Sequence, residues 1–212
     1  MRLIKRIATI LAALVVVFLA AGFFLPSAWQ VERSIDVPAG SEHVLPLVDA
    51  PKRWIEWAAW TPERYPDMQI EHGAVERGPG AVWSWKGESS GNGRMEILSS
   101  DARRGVDFEL VFEGFEPARG SFRFEPIETG TRVTWTIAGD AGLNPISRYF
   151  CLLMDSMMGP DLDAGLEGLA RLAVSEKEAA EQAAAEKAAA EARARAEAEA
   201  AAAAEADAIA AE

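Results

Sequence analysis

In Val106-Asp107-Phe108-Glu109-Leu110-Val111-Phe112-Glu113, Val106, Phe108, Leu110 and Phe112 recur at every second position, while Asp107, Glu109 and Glu113 fill most of the other face. A two-residue period marks a half-buried β-strand, packed on one side and wet on the other. The alternation returns in Phe122 and Phe124, then in Val133, Trp135 and Ile137 with Thr134 and Thr136 opposite. Earlier it runs through Trp83 and Trp85, and through Met95 and Ile97. Gly78-Pro79-Gly80, Gly91-Asn92-Gly93 and Glu128-Thr129-Gly130-Thr131 separate these runs as turns. An antiparallel meander with one apolar face follows, preceded by a first strand over Gln30 to Val37.

Helical signals flank the meander. Ser41 suits the N-cap of a short helix through Val48, weakened by Pro46, and Lys52 to Trp57 reads as another behind Pro51. A long helix opens at Asn144 or Pro145. Ile146, Phe150, Leu153 and Met157 follow 4-3-4 spacing, and Leu162, Leu166, Leu169 and Leu172 continue the stripe. Gly159-Pro160 predicts a kink there, not a stop, since proline removes one backbone bond. A sheet with one apolar face must be covered, and this helix carries the large stripe to do it. The expected fold is α+β, with about seven strands curled around a long C-terminal helix and a cavity at the wide end.

Composition divides the chain into residues 1–28, 29–173 and 174–212. The first zone holds no charge from Ile7 to Val31, and residues 7–24 are almost wholly apolar. About 20 such residues match the ~30 Å hydrocarbon core. Arg2, Lys5 and Arg6 precede the run, so the positive-inside rule places the N-terminus in the cytoplasm and the rest outside, periplasmic in a Gram-negative cell. A cleaved signal peptide is the alternative, but its apolar region is normally ~7–15 residues and Pro26-Ser27-Ala28 makes a poor cleavage site. The third zone is Ala- and Glu-rich, with ten acids against four bases and almost no large apolar residues. It reads as a solvated, helical or partly disordered tail without a coiled-coil seam, the alternative being an arm for a protein partner.

The strings Val31-Glu32-Arg33-Ser34-Ile35-Asp36-Val37-Pro38-Ala39, Trp54-Ile55-Glu56-Trp57 with Trp60, Gly93-Arg94-Met95-Glu96-Ile97 and Gly130-Thr131-Arg132-Val133-Thr134-Trp135 sit within this order of elements. Together they resemble the START-like superfamily (SRPBCC, the helix-grip fold), and within it the polyketide cyclase/dehydrase-type branch. The resemblance covers about residues 29–173 and implies a curved sheet gripping the last helix. It also implies a cavity for lipids, sterols, polyketides or hormones, and in some members cyclisation or dehydration.

A formal charge of −12 argues against nucleic acid as a partner. Cys151 is the single cysteine, and His43 and His72 stand far apart, so neither a disulfide nor a metal centre is expected, nor any cofactor. Both histidines read as exposed. Cys151 reads as an inert small hydrophobe, and Asp155, Asp161 and Asp163 as helix-surface carboxylates rather than an acid–base pair. Trp54, Trp57 and Trp60 recur every three residues and read as an aromatic cap on the sheet, with the alternative of a ligand wall. Met154, Met157 and Met158 cluster beside Gly159-Pro160, where flexible thioethers suit an adaptable apolar cavity. The candidate pocket comprises Trp57, Trp60, Trp83, Trp85, Met95, Phe108, Phe112, Trp135, Met154, Met157 and Met158.

These residues point to a membrane-anchored domain, attached through residues 7–24, that binds an apolar small molecule or lipid without catalysis. The inward strand faces carry no His or Tyr, which weakens the first alternative, an aromatase/cyclase-type enzyme. The second alternative is an envelope structural protein that reaches a partner through its helical tail.

Overall fold

The computed structural model describes residues Arg2–Ala210, with side chains through Ala200. It divides into two compact units, Met1–Ala173 and Val174–Glu212. The first unit opens with α1 (Arg2–Gly22), β1 (Ala28–Val37), α2 (Ser41–Val48) and a 3-10 helix (Pro51–Glu56). Six strands follow: β2 (Gln69–His72), β3 (Val82–Lys86), β4 (Gly93–Asp101), β5 (Gly105–Phe112), β6 (Ala118–Ile127) and β7 (Gly130–Asp140). Then come α3 (Pro145–Cys151) and α4 (Met154–Ala210).

The seven strands form one sheet in the order β1-β7-β6-β5-β4-β3-β2. Every pairing is antiparallel, so β2 to β7 are a simple meander and β1 adds beside β7. The alternation of Val106 to Phe112 delivers what its period demands: Val106, Phe108 and Leu110 are buried in β5. Phe108 lies opposite Gly120 of β6, and any Cβ at Gly120 would run into the Phe108 ring. The core consists of this sheet face, the Trp54 and Trp57 side chains, and Leu162, Leu166 and Leu169 of α4.

Trp54 sits at the centre of an aromatic cluster, 5.2–6.0 Å between centroids from Trp57, Trp83, Phe108, Phe122 and Trp135. Most of these pairs meet edge to face, the arrangement that aligns ring quadrupoles and adds about 0.5–1.5 kcal/mol per pair beyond burial. Both buried indoles also find acceptors. Trp54 Nε1 donates to the Val48 carbonyl and Trp57 Nε1 to the Leu47 carbonyl, each at 3.0 Å. Those carbonyls belong to the last turn of α2, where no helical partner remains for them. The 3-10 helix thereby closes the end of α2.

Several local expectations are corrected. Gly40, not Ser41, is the N-cap of α2, and no side chain caps it. His43 is half-buried rather than exposed, with Nε2 3.8 Å from Glu42. As expected, the helix does not stop at Pro160, but a break that the sequence reading does not anticipate falls at Leu152 and Leu153. The two pieces are held by different supports: Arg148 ties α3 to the carbonyls of Gly142, Phe23 and Leu25, while Arg33 of β1 ties down the start of α4. Asn144 caps α3 by accepting from the Ile146 and Ser147 amides. The stripe Ile146, Phe150, Leu153 and Met157 does not join the core; all four are about half exposed. Leu162, Leu166 and Leu169 are fully buried, as their spacing predicts.

α1 is 21 residues long and its most apolar 18-residue stretch has a mean hydropathy of 2.3, long and apolar enough to cross a membrane, and it is exposed as far as Phe18. Its C-terminal end packs on α3. Phe18 stacks on Tyr149 at 4.2 Å, the Tyr149 hydroxyl donates to the Phe18 carbonyl at 2.7 Å, and Gly22 lies against Pro145. The second unit is helical through Ala210, and every side chain from Glu178 to Ala200 is exposed.

Candidate functional site

Two cavities lie between the sheet and the helices. The inner one, about 30 Å³, has room for little more than one water-sized molecule. Its wall is apolar: Trp54, Met68, Trp83, Trp85, Met95, Phe108, Trp135 and Ile137, joined by Trp60, Leu110 and Phe112. The indole nitrogens of Trp83 and Trp135 are buried there without hydrogen-bond partners. An unpaired buried donor costs about 1–3 kcal/mol, so two in one apolar core are a notable expense.

The outer cavity is about 570 Å³, inside the ~300–1,000 Å³ range of small-molecule sites. Trp29 of β1, Leu110 and Phe112 of β5, Ala118 of β6 and the loop Gly114-Phe115-Glu116 form its sheet side. Asp140, Ala141, Asn144, Ser147, Phe150, Cys151, Met154, Met157, Met158 and Asp161 form the other side, from the end of β7 into α4. Trp60, Leu110 and Phe112 line both cavities and are the partition between them.

The tryptophans, methionines and phenylalanines singled out in the sequence therefore separate into groups. Trp83, Trp85, Met95, Phe108 and Trp135 surround the inner cavity; Met154, Met157 and Met158 line the outer one; Trp60 and Phe112 touch both. Trp57 lines neither, being spent on packing and on the Leu47 carbonyl. Met157 is 58% exposed and so stands at the rim. Leu110 carries the same alternation as Phe108 and Phe112 and was findable from it. Trp29 shares the two-residue period of Val31, Ile35 and Val37 in β1 and was findable from it, whereas Met68 and Phe115 lie in loops, where no period marks the inward side.

The ionisable groups of the outer wall are largely committed. Asp140 accepts from the Ser27 hydroxyl and the Gly142 amide. Asp161 is held by Arg64 at 2.5 Å. The Cys151 thiol leans on the Ser27 carbonyl at 3.2 Å, and burial and the nearby Asp140 charge push its pKa up, away from a reactive thiolate. Asp155 and Asp163 converge on Arg33, at 2.8 and 3.1 Å, instead of forming an acid–base pair. The Arg33 hydrogen bond holds the Asp155 carboxyl below the usual carboxylate range. Among the described residues, no three His, Cys, Asp or Glu side chains gather as a metal site. The arrangement suits enclosing an apolar body, with Glu116, Asp140, Asn144, Ser147 and Asp161 as the polar groups among a mainly apolar lining.

The same architecture occurs in solved structures of low sequence identity. A protein of unknown function from Staphylococcus aureus superposes with a TM-score of 0.55 at 10% identity, covering 72% of this chain and 98% of that one. A norcoclaurine synthase point mutant from Thalictrum flavum, bound to a transition-state analogue, gives 0.53 at 11% identity over 72% and 98% of the two chains. The di-domain ARO/CYC StfQ of the steffimycin biosynthetic pathway gives 0.52 at 10% identity, covering 71% of this chain and 52% of that one. These likenesses establish the fold. The chain matches no curated protein. The sequence profile described as polyketide cyclase / dehydrase and lipid transport matches residues 28–174, the span from the first residue of β1 to the end of the core-packed part of α4. With sheet, gripped helix and profile coinciding over that span, the chain belongs to the polyketide cyclase / dehydrase and lipid transport family.

Proposed function

We propose that this chain is a membrane-anchored domain that binds an apolar small molecule or lipid in its outer cavity and carries out no reaction on it. The observation that carries the reading is the 570 Å³ cavity between the sheet and the start of α4, with three methionines along its helical side. A flexible thioether wall adapts to ligands of uneven shape. Catalysis of the aromatase/cyclase type needs an acid or base free to exchange a proton. Asp140 and Asp161 are instead tied up as acceptors, the thiol is held protonated, and Glu116 is exposed to solvent.

Anchoring draws support from α1 and its basic leader, Arg2, Lys5 and Arg6. In this reading the N-terminus is cytoplasmic and the domain lies on the other side of the membrane. The stacking of Phe18 on Tyr149 favours retention of α1, because cleavage near Ala28 would strip α3 of its neighbour.

Native mass spectrometry of the detergent-extracted full chain tests the proposal. A co-purifying apolar molecule, lost in the cavity-filling variant Met158→Trp, is expected. Ligand-free protein from several membrane extracts, or a ligand retained by that variant, overturns it.

A further inference from the structure

We infer that the segment from Leu143 to Leu153, α3 with its flanks, lies in the interfacial layer of the bilayer beside α1, and that the outer cavity takes an uncharged or zwitterionic lipid directly from the membrane. This rests on the reading of α1 as a membrane span.

The depth of α3 follows from its attachment. The uncharged part of α1, residues 7–22, is about 24 Å long, so a spanning α1 needs the apolar residues just after it to complete the ~30 Å hydrocarbon core. Phe18 lies four residues before the end of α1, about 6 Å along its axis. The Tyr149 ring stacks on Phe18 at 4.2 Å, and its hydroxyl is fastened to the Phe18 carbonyl. Arg148 grips the Phe23 and Leu25 carbonyls just beyond the helix end. A spanning α1 therefore draws α3 down to the headgroup boundary. Tyrosine is at home there, with its ring in the apolar layer and its hydroxyl bonded.

The composition of the segment fits that place. From Leu143 to Leu153 the one charged side chain is Arg148, and it is spent on backbone carbonyls. Arg148 and Tyr149 face α1, while Ser147, Phe150 and Cys151 face the outer cavity. What remains is an unpartnered apolar side: Leu143 is 81% exposed, and Ile146, Leu152 and Leu153 are at least half exposed. A helix bathed in water would carry charge on that third side. An amphipathic element lying in the interface buries it.

The cavity shares this wall, so its α3 side stands at the bilayer surface. A molecule already dissolved in the membrane can then enter without crossing water. Glu116 and Asp140 in the wall repel an anionic headgroup, while Asp161 is neutralised by Arg64, which leaves uncharged and zwitterionic lipids.

The test uses the full chain, in a Cys151→Ser background, reconstituted into phosphatidylcholine vesicles. An environment-sensitive fluorophore is attached to a single cysteine, Leu143→Cys, Ile146→Cys or Leu153→Cys. All three positions are solvent-facing in the fold, so the core is untouched. Glu128→Cys, in the turn at the opposite end of β7, is the aqueous reference. Lipids spin-labelled high on the acyl chain should quench the three α3 probes at least threefold more than the reference. Quenching equal to the reference overturns the inference, whatever the cavity binds. Native mass spectrometry of the unsubstituted full chain from the same vesicles separates the two readings. A bound lipid with water-exposed probes keeps the binding reading and sinks this one. Immersed probes with an empty cavity uphold the interfacial placement and sink the loading of lipid.

Discussion

Gly168 of α4 packs directly on the main chain of Trp57: a Cβ built there would lie 3.1 Å from the Trp57 carbonyl carbon and closer still to its oxygen. In the interior of a helix, alanine normally gains about 1 kcal/mol over glycine. Here the methyl would meet backbone that is fixed by the Trp57 Nε1 bond to Leu47, so the usual sign reverses. Gly168→Ala should lower stability by about 1–3 kcal/mol, the cost of overpacking a fitted core. Urea unfolding followed by tryptophan fluorescence reads this directly, and a raised midpoint would refute the close approach.

That contact also marks the limit of sequence reading. The two-residue period of Val106, Phe108, Leu110 and Phe112 names its own element, because alternation is a local property of the strand. Leu162, Leu166 and Leu169 likewise announce a buried helical face. Ile146, Phe150, Leu153 and Met157 obey the same spacing, yet α3 turns that face toward the cavity rim and the surroundings of α1. Periodicity says which side chains share a face and is silent about what the face meets. The pairing of Arg33 with Asp155 and Asp163 spans more than 120 positions, beyond any local signal. For the site, the aromatic residues were legible in sequence, but their division into a filled inner core and an open outer cavity depends on side-chain volumes in three dimensions.

Acid should weaken the fold through Arg33. Asp155 has a folded pKa below its unfolded value, so its contribution is present above about pH 4 and is lost as pH falls through the lower folded value. Asp36, bonded by Arg132, behaves in the same direction. Thermal stability should be flat from neutrality to about pH 5 and fall below pH 4. Asp155→Asn should lower the neutral Tm slightly and shallow the acid limb by the same small amount, the two chains converging in acid, because the Asp155 carboxylate is mostly solvent-exposed. An unaltered limb would remove Arg33 from the explanation.

Removing the tail should not matter to the folded domain. From Glu178 to Ala200 every side chain is exposed, and Val174 is the one large apolar side chain among residues 174–200. A chain ending at Ala173 should melt within about 2 °C of the full-length protein. A larger drop in a detergent-solubilised melt would show that the helix beyond Val174 supports Leu169 and Ala173 from outside.

The partition between the cavities decides how far a ligand can reach. Trp60, Leu110 and Phe112 line both spaces, and Trp60 meets Trp135 edge-on at 6.1 Å. Removing the Trp60 ring joins the cavities and extends the site toward Trp83 and Trp135, whose indole N–H groups are unpaired. Trp60→Ala should cost less than the ~3–5 kcal/mol of a fully buried tryptophan, because Trp60 is only half-buried. It should also admit longer or bulkier apolar probes. Met158→Trp and Ala118→Phe act in the opposite sense by filling the outer space, and each should weaken probe binding at least tenfold, about 1.4 kcal/mol. A fluorescent fatty-acyl series titrated against the three variants separates the cases. If Trp60→Ala leaves the length preference unchanged while the filling variants abolish binding, the ligand stays in the outer cavity and the inner tryptophans are core alone. If the filling variants bind as well as the parent chain, the outer cavity is not the site.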